Sequence, residues 1–275
     1  MIKLVKYKNV DLKAWDTCVK KSINKDVTAL SGYLDIACKK WDALVLDNYE
    51  AVMPLPRVNS ILFNNYSTNF LVPQLGVYGN AITYNVFYDF VKLFKSKSYS
   101  IDYKFNKYNY YNELDDKFEK KKAYEFDVYS KDNISINSKY YNEKRISNNE
   151  ILKFIETNKV ISNISMSSFD ADMMRQILAY AIRRGIAYSY TAYDERNNLV
   201  GFAFFLKSFT KDKLIFTAIK EKNRINEVFE FLLNNHLKVC RRNISIDLGY
   251  SDTYFDNVFN LFNVKQYIVP AINKN

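Results

Sequence analysis

The sequence predicts an α/β protein, in an α+β arrangement of mixed, mostly antiparallel sheets flanked by helices, built from two similar lobes. Three observations predict it. Short apolar runs that read as strands alternate with stretches whose apolar residues recur at helical spacing. The run Ala43-Leu44-Val45-Leu46, the turn residues Asp47-Asn48 and the return from Tyr49 to Leu55 read as a hairpin. A weaker copy of this pattern, at 190–194 and 199–203, recurs in the second half with the same neighbours in the same order, as duplication of a supersecondary unit produces.

In the first half, Ile2 to Tyr7 alternates apolar and basic residues as a strand does. Asp11 is placed to cap a helix carrying Leu12, Trp15, Val19 and Ile23. A second helix is expected from Thr28 to Lys40, with Leu30, Tyr33, Leu34 and Ala37 on one face. The run 43–46 is apolar throughout, as in a strand covered on both sides. Pro54 and Pro56 cannot donate to a ladder, so the return strand must end or sit at an edge there. A third apolar stretch, Ile61 to Phe63, precedes a turn at Pro73-Gln74-Leu75-Gly76. Val86, Phe87, Phe90, Val91 and Phe94 then form a helical stripe, and Tyr99 to Phe105 alternates as a strand.

Residues 106–146 are rich in Tyr, Asn and Lys with little periodicity. They read as a solvated connector with a strand at Tyr124 to Tyr129, so the lobes are expected at 1–105 and 147–275. In the second half Ser147 and Glu150 form a capping box for a helix at 148–157. Asp170 to Arg184 is the next helix, with Met173, Met174, Ile177, Leu178 and Ala181 apolar and Gly185 ending it. Strands follow at Ile186 to Tyr193, Leu199 to Leu206 and Leu214 to Lys220. Ile225, Val228, Phe229, Leu232, Leu233, Leu237 and Cys240 share one helical face. Ile244 to Leu248 is a strand, Tyr254 to Phe262 a short helix or turn, and Gln266 to Val269 a closing strand.

With 275 residues, 48% of them hydrophobic, the chain is long enough to bury a substantial core. Its net charge of +10 comes mostly from lysine, which rises together with Asn, Tyr, Phe and Ile. That pattern fits AT-rich codon usage and gives nucleic-acid binding no support of its own. Cys18, Cys38 and Cys240 are too scattered for a disulfide framework and read as reduced, buried thiols of a cytoplasmic protein. The N-terminus does not read as a signal peptide, and no window approaches the ~20 apolar residues a membrane span needs.

The order helix, helix, hairpin, third strand, helix, strand resembles the Gcn5-related N-acetyltransferase (GNAT) fold. Two such units in one chain resemble the FemAB-like acyltransferases. The segments Trp41-Asp42-Ala43-Leu44-Val45, Met53-Pro54-Leu55-Pro56 and Gln74-Leu75-Gly76-Val77-Tyr78 look like those of a bacterial branch of that family. The resemblance implies transfer of an acyl or aminoacyl group from acyl-CoA or aminoacyl-tRNA to an amine, borne by a small molecule or a peptide or glycan precursor. It implies no tightly bound cofactor. It also implies that the donor enters between the third strand and the strand that follows, with its pyrophosphate at the start of the intervening helix. The family signature there is Gln/Arg-x-x-Gly-x-Gly/Ala, whose glycines let backbone N–H groups approach the phosphates. The corresponding run here, 219–227, contains no glycine, while 75–80 keeps two.

The stretch 196–242 holds ten basic residues against four acidic ones. Within it Lys220, Lys222, Asn223 and Arg224 stand where the donor's phosphates land in the resembled fold. Tyr254 and Tyr250, after the Ile244 strand, are candidate acids for the leaving group, and Asp247, alternating with Ile244, Ile246 and Leu248, is a candidate catalytic carboxylate facing either a cleft or solvent. His236, amid Phe229, Leu232, Leu233 and Cys240, reads as a packed histidine, and one histidine with scattered cysteines suggests no zinc site. The missing glycines also admit a catalytically silent relative that binds a partner in the groove between its lobes.

Overall fold

The structure is a computed structural model describing residues 1–58, 63–109, 118–126, 139–142, 147–158, 160–162, 166, 169–240, 243–246 and 265–274. The chain divides into two compact units, Met1–Lys122 with Tyr267–Asn275, and Ala123–Gln266.

The first unit opens with β1 (Ile2–Lys6) and α1 (Leu12–Lys21), the latter capped by Asp11, which accepts from the N–H groups of Lys13 and Ala14. α2 spans only Ser31–Ala37, shorter than the expected 28–40. Asp26 caps a separate 3-10 turn at Val27–Ala29, and Leu30 then adopts an extended conformation that interrupts helical propagation. β2 (Trp41–Leu46) and β3 (Ala51–Pro56) form the expected hairpin, with Asp47 and Tyr49 both at positive φ. β4 (Asn65–Ser67) was not foreseen, and part of the expected apolar stretch Ile61 to Phe63 lies outside the described residues. β5 (Tyr78–Gly79) pairs with Ala51 and Val52 of β3, stopping short of Pro54 and Pro56, as residues without an N–H require. α3 (Tyr84–Lys97) buries Phe87, Phe90, Val91 and Phe94, and β6 (Ser100–Lys104) follows.

One sheet of this unit runs β1-β2-β3-β5, and β4 lies parallel to β6. Between layers sit Trp15, Trp41, Tyr33, Tyr66 and the α3 phenylalanines, with the two tryptophan rings 4.8 Å apart. Gly76 has φ +152°, and a Cβ there would lie 1.9 Å from Asn109 Oδ1. The turn is bound by side-chain amides, Asn109 Oδ1 accepting from Val77 N at 2.9 Å and Asn106 Nδ2 donating to Leu75 O at 3.0 Å.

β7 (Glu119–Phe126) leads into the second unit and begins before the expected Tyr124, while residues 127–129 lie outside the described set. α4 (Asn148–Thr157) carries the complete Ser147/Glu150 capping box, and β8 (Ile161–Ser162) follows. α5 (Ala171–Arg183) is capped by Asp170 and followed by Gly185 at φ +65°. β9 (Ala187–Tyr193), β10 (Leu199–Lys207) and β11 (Asp212–Ile219) form an antiparallel meander. α6 (Ile225–Val239) packs on all three, close enough that a Cβ on Gly201 would lie 2.3 Å from Val228 Cγ1. β12 (Ile244–Ile246) runs parallel to β11 and antiparallel to β7, giving the order β9-β10-β11-β12-β7. The expected helix or turn at Tyr254 to Phe262 lies outside the described residues.

β13 (Lys265–Lys274) is longer than the expected Gln266 to Val269, and its Ala271–Lys274 segment pairs antiparallel with β6 of the first unit. Among the described residues no helix is long and apolar enough to cross a membrane.

Candidate functional site

The strand-to-helix junction β11–α6 is built without glycine. Lys220 N–H closes the end of the meander on Val200 O at 2.9 Å. Glu221 is extended, Lys222–Arg224 form a single 3-10 turn, and α6 starts at Ile225 with no side chain capping it. Beside this junction lies a cleft of about 610 Å³, lined by Lys139 and Tyr140, by Asp194 to Arg196 and Asn198 of the β9–β10 turn, and by Glu221, Asn223, Arg224 and Glu227.

Asn223 and Arg224 therefore reach the cleft as expected, whereas Lys220 and Lys222 are exposed outside its lining. Arg224 Nε is paired with Glu221 Oε2 at 3.1 Å. The cations Lys139, Arg196 and Arg224 face four carboxylates, so the cleft has mixed charge, although the stretch 196–242 holds ten basic residues against four acidic ones. Asp194 organises its rim. Its carboxylate accepts from Asn198 N at 2.8 Å and Arg196 N at 3.0 Å, and these bonds, that from Asn198 foremost, hold its pKa below the ordinary value.

Tyr140 is the residue sequence reasoning missed. It is buried against Phe231, with ring centroids 5.7 Å apart, and its hydroxyl donates to Glu227 Oε2 at 3.2 Å. Burial first, then the Glu227 carboxylate, keep the phenol above its ordinary pKa and therefore protonated at neutral pH. The arrangement pairs an O–H donor with a carboxylate at the edge of an open cleft, as general acid–base chemistry requires. Nothing in the local sequence marked Tyr140, one tyrosine among 23. Tyr250, Tyr254 and Asp247 lie outside the described residues.

The edge of β11 is shared between two strands. β12 pairs only with Asp212 to Leu214, at its beginning. At its end Ala218 and Ile219 pair with Ser162 and Ile161 of β8. Since β10 holds the opposite edge along the whole strand, β8 and β12 lie on the same edge, the one next to the expected donor opening.

The first unit has its own cleft, of about 470 Å³, with Lys6, Lys8, Lys39, Lys40 and Arg57 around Trp41 and Asp42. Asp42 is buried and held by Lys6 Nζ at 2.8 Å, Tyr66 Oη at 3.1 Å and Arg57 Nε at 3.7 Å, the arrangement of a structural ion-pair hub. Gly76 and Gly79, the two glycines of the 75–80 run, pack against Asn109 and Ile82, so neither presents open backbone to a phosphate.

No protein-family model matches the sequence, and no curated protein matches it either. Solved structures do match. A GNAT-family acetyltransferase from Colwellia psychrerythraea superposes with a TM-score of 0.60 at 11% identity, covering 100% of both chains. FemX matches with a TM-score of 0.58 at 11% identity over 96% of each chain. A tandem GNAT protein from the clavulanic acid biosynthesis pathway matches with a TM-score of 0.57 at 11% identity, over 98% of this chain and 97% of its own. At such identities the likeness speaks to architecture, and the architecture of this chain is that of the GNAT acetyltransferases.

Proposed function

We propose that the chain is an N-acyltransferase of the FemAB-like kind, with duplicated GNAT-like lobes, acting at the β11–α6 junction of its second unit. The observation that carries this reading is the Tyr140–Glu227 pair, set in a cleft beside Arg224 at the start of α6. The donor is an acyl-CoA or an aminoacyl-tRNA, and the acceptor an amine on a small molecule or on a peptide or glycan precursor. The amine nitrogen attacks the carbonyl carbon and its proton passes to Glu227. The bond to the leaving sulfur or ribose oxygen breaks, and the Tyr140 hydroxyl supplies the proton that the leaving atom takes up. Arg224 and Arg196 offer charge to the donor's phosphates, in place of the backbone approach that glycines give elsewhere.

Calorimetric titration with acetyl-CoA and with charged tRNA tests the proposal. Saturable binding of one donor class, weakened in Arg224→Ala, is expected; no heat with either rejects it.

A second reading, a catalytically silent relative that keeps the fold to bind a partner, is favoured by one observation. β8 occupies the β11 edge next to which a donor would enter. On that reading the chain binds neither donor, and Ile161→Pro, which puts a residue of poor strand propensity into β8, leaves it unable to do so.

A further inference from the structure

Asp212, His236 and Cys240 are far apart in sequence and together in space. His236 and Cys240 stand four residues apart at the end of α6, a spacing that puts both on one helix face. Asp212, the first residue of β11, meets them from the sheet. All three are buried, at 0%, 2% and 1% exposure for His236, Cys240 and Asp212, and their ligand-type atoms lie within 4.8 Å of one another. Asp212 Oδ2 is 3.3 Å from His236 Nε2 and 3.2 Å from Cys240 Sγ.

Asp212 Oδ1 finds no hydrogen-bond partner among the described residues, and His236 Nε2 has among them only its 3.3 Å approach to Asp212 Oδ2. Buried polar atoms normally have one, and leaving them without costs stability. Two neighbours hold the imidazole. Phe205 stacks on its face at 4.0 Å, and the Tyr190 hydroxyl lies 3.2 Å from Nδ1.

We propose that Asp212, His236 and Cys240 form a structural zinc site. Zinc bonds of about 2.0–2.3 Å set neighbouring ligand atoms about 3.3–3.8 Å apart in a tetrahedron, within a few tenths of an ångström of the two distances found. Carboxylate, imidazole and thiolate are a donor set zinc accepts, and together they neutralise its charge, as a dry core requires. Asp212 Oδ1, in the same carboxylate as Oδ2, makes the aspartate a bidentate ligand and the four donor atoms a distorted tetrahedron. With the metal on Nε2, Nδ1 carries the proton and donates to Tyr190, the outer contact that orients a ligating histidine. Binding releases the Cys240 thiol proton to solvent.

A nucleophilic cysteine is the competing chemistry, and the geometry opposes it. The Cys240 thiol is directed at the Asp212 carboxylate, at 3.2 Å, whereas activation needs it hydrogen-bonded to the imidazole. The thiol is also closed to substrate. The inference stands apart from the acyltransferase reading, since it concerns the core beneath α6 and not the cleft.

Cobalt(II) titration of the full chain, purified without a metal-affinity tag, tests it. Expected are one cobalt per chain, a thiolate-to-cobalt charge-transfer band with tetrahedral d–d bands, and displacement by zinc. The bands persist in the Cys18→Ser/Cys38→Ser double variant and vanish in Cys240→Ser. Tyr190→Phe lowers zinc affinity about tenfold. The wild-type titration stands without any variant: absence of stoichiometric binding overturns the site and leaves a hydrogen-bonded core network. Bands that survive Cys240→Ser overturn it equally.

Discussion

The hydroxyl of Tyr140 donates to the Glu227 carboxylate at 3.2 Å, tying the segment before α4 to the first turn of α6. This bond places a protonated phenol and an acceptor carboxylate together at the cleft. Tyr140→Phe removes one oxygen and keeps the ring packed on Phe231. The expected result is a fall in kcat of about 10²-fold or more, with donor affinity within about twofold of wild type, read from steady-state rates and calorimetry. A loss of affinity with an unchanged rate assigns the hydroxyl to binding instead.

The turn at Gly76 makes a sharper stability test than its sequence suggests. Gly76→Ala places a methyl group 1.9 Å from Asn109 Oδ1 on backbone at φ +152°. It is expected to cost at least ~1–3 kcal/mol in urea unfolding. Gly185→Ala is the control. It also has positive φ, but its Cβ meets nothing within 4 Å, so it costs only the left-handed backbone penalty of about 1–2 kcal/mol.

Cys18 lies under the β3–β5 pairing, its thiol directed at Tyr78 O at 3.5 Å. Burial disfavours the thiolate and pushes its pKa up to about 11. At pH 8 about one Cys18 in a thousand is therefore ionised. Alkylation by iodoacetamide in the folded protein, followed by mass spectrometry, is expected to be slow at pH 8. It accelerates about tenfold per pH unit toward pH 11, while the urea-unfolded chain reacts at the rate of an ordinary cysteine. Equal rates in both states at pH 8 contradict this placement.

The elements carried by local chemistry were legible. The Ser147/Glu150 box, the Asp11 cap, the Asp47 turn and the stripe of α6 are each written in residues a few positions apart, and each is where the sequence places it. His236 is packed as its spacing suggested. What escaped depends on partners distant in sequence. The helix expected over 28–40 is cut short because Asp26 caps a turn of its own, Tyr140 matters only because it meets Glu227, and β13 was read without its partner β6. Asp212 gave no signal as a neighbour of His236 and Cys240, because a strand start and a helix end meet only in the folded core. Of the proposed phosphate contacts, Asn223 and Arg224 reach the cleft because they lie in the turn that opens onto it, while Lys220 and Lys222 do not line it.

The most direct test of acyl transfer at the β11–α6 junction is calorimetric titration of wild type and Arg224→Ala with acetyl-CoA and with charged tRNA. Among the described residues the ion pair of Arg224 is with Glu221, on a half-exposed surface, so its loss leaves the fold intact. One-site binding of one donor class is expected, weakened about tenfold by Arg224→Ala, the loss of one charge-assisted contact. Absence of binding to the wild-type chain, or identical affinities in the two proteins, contradicts it.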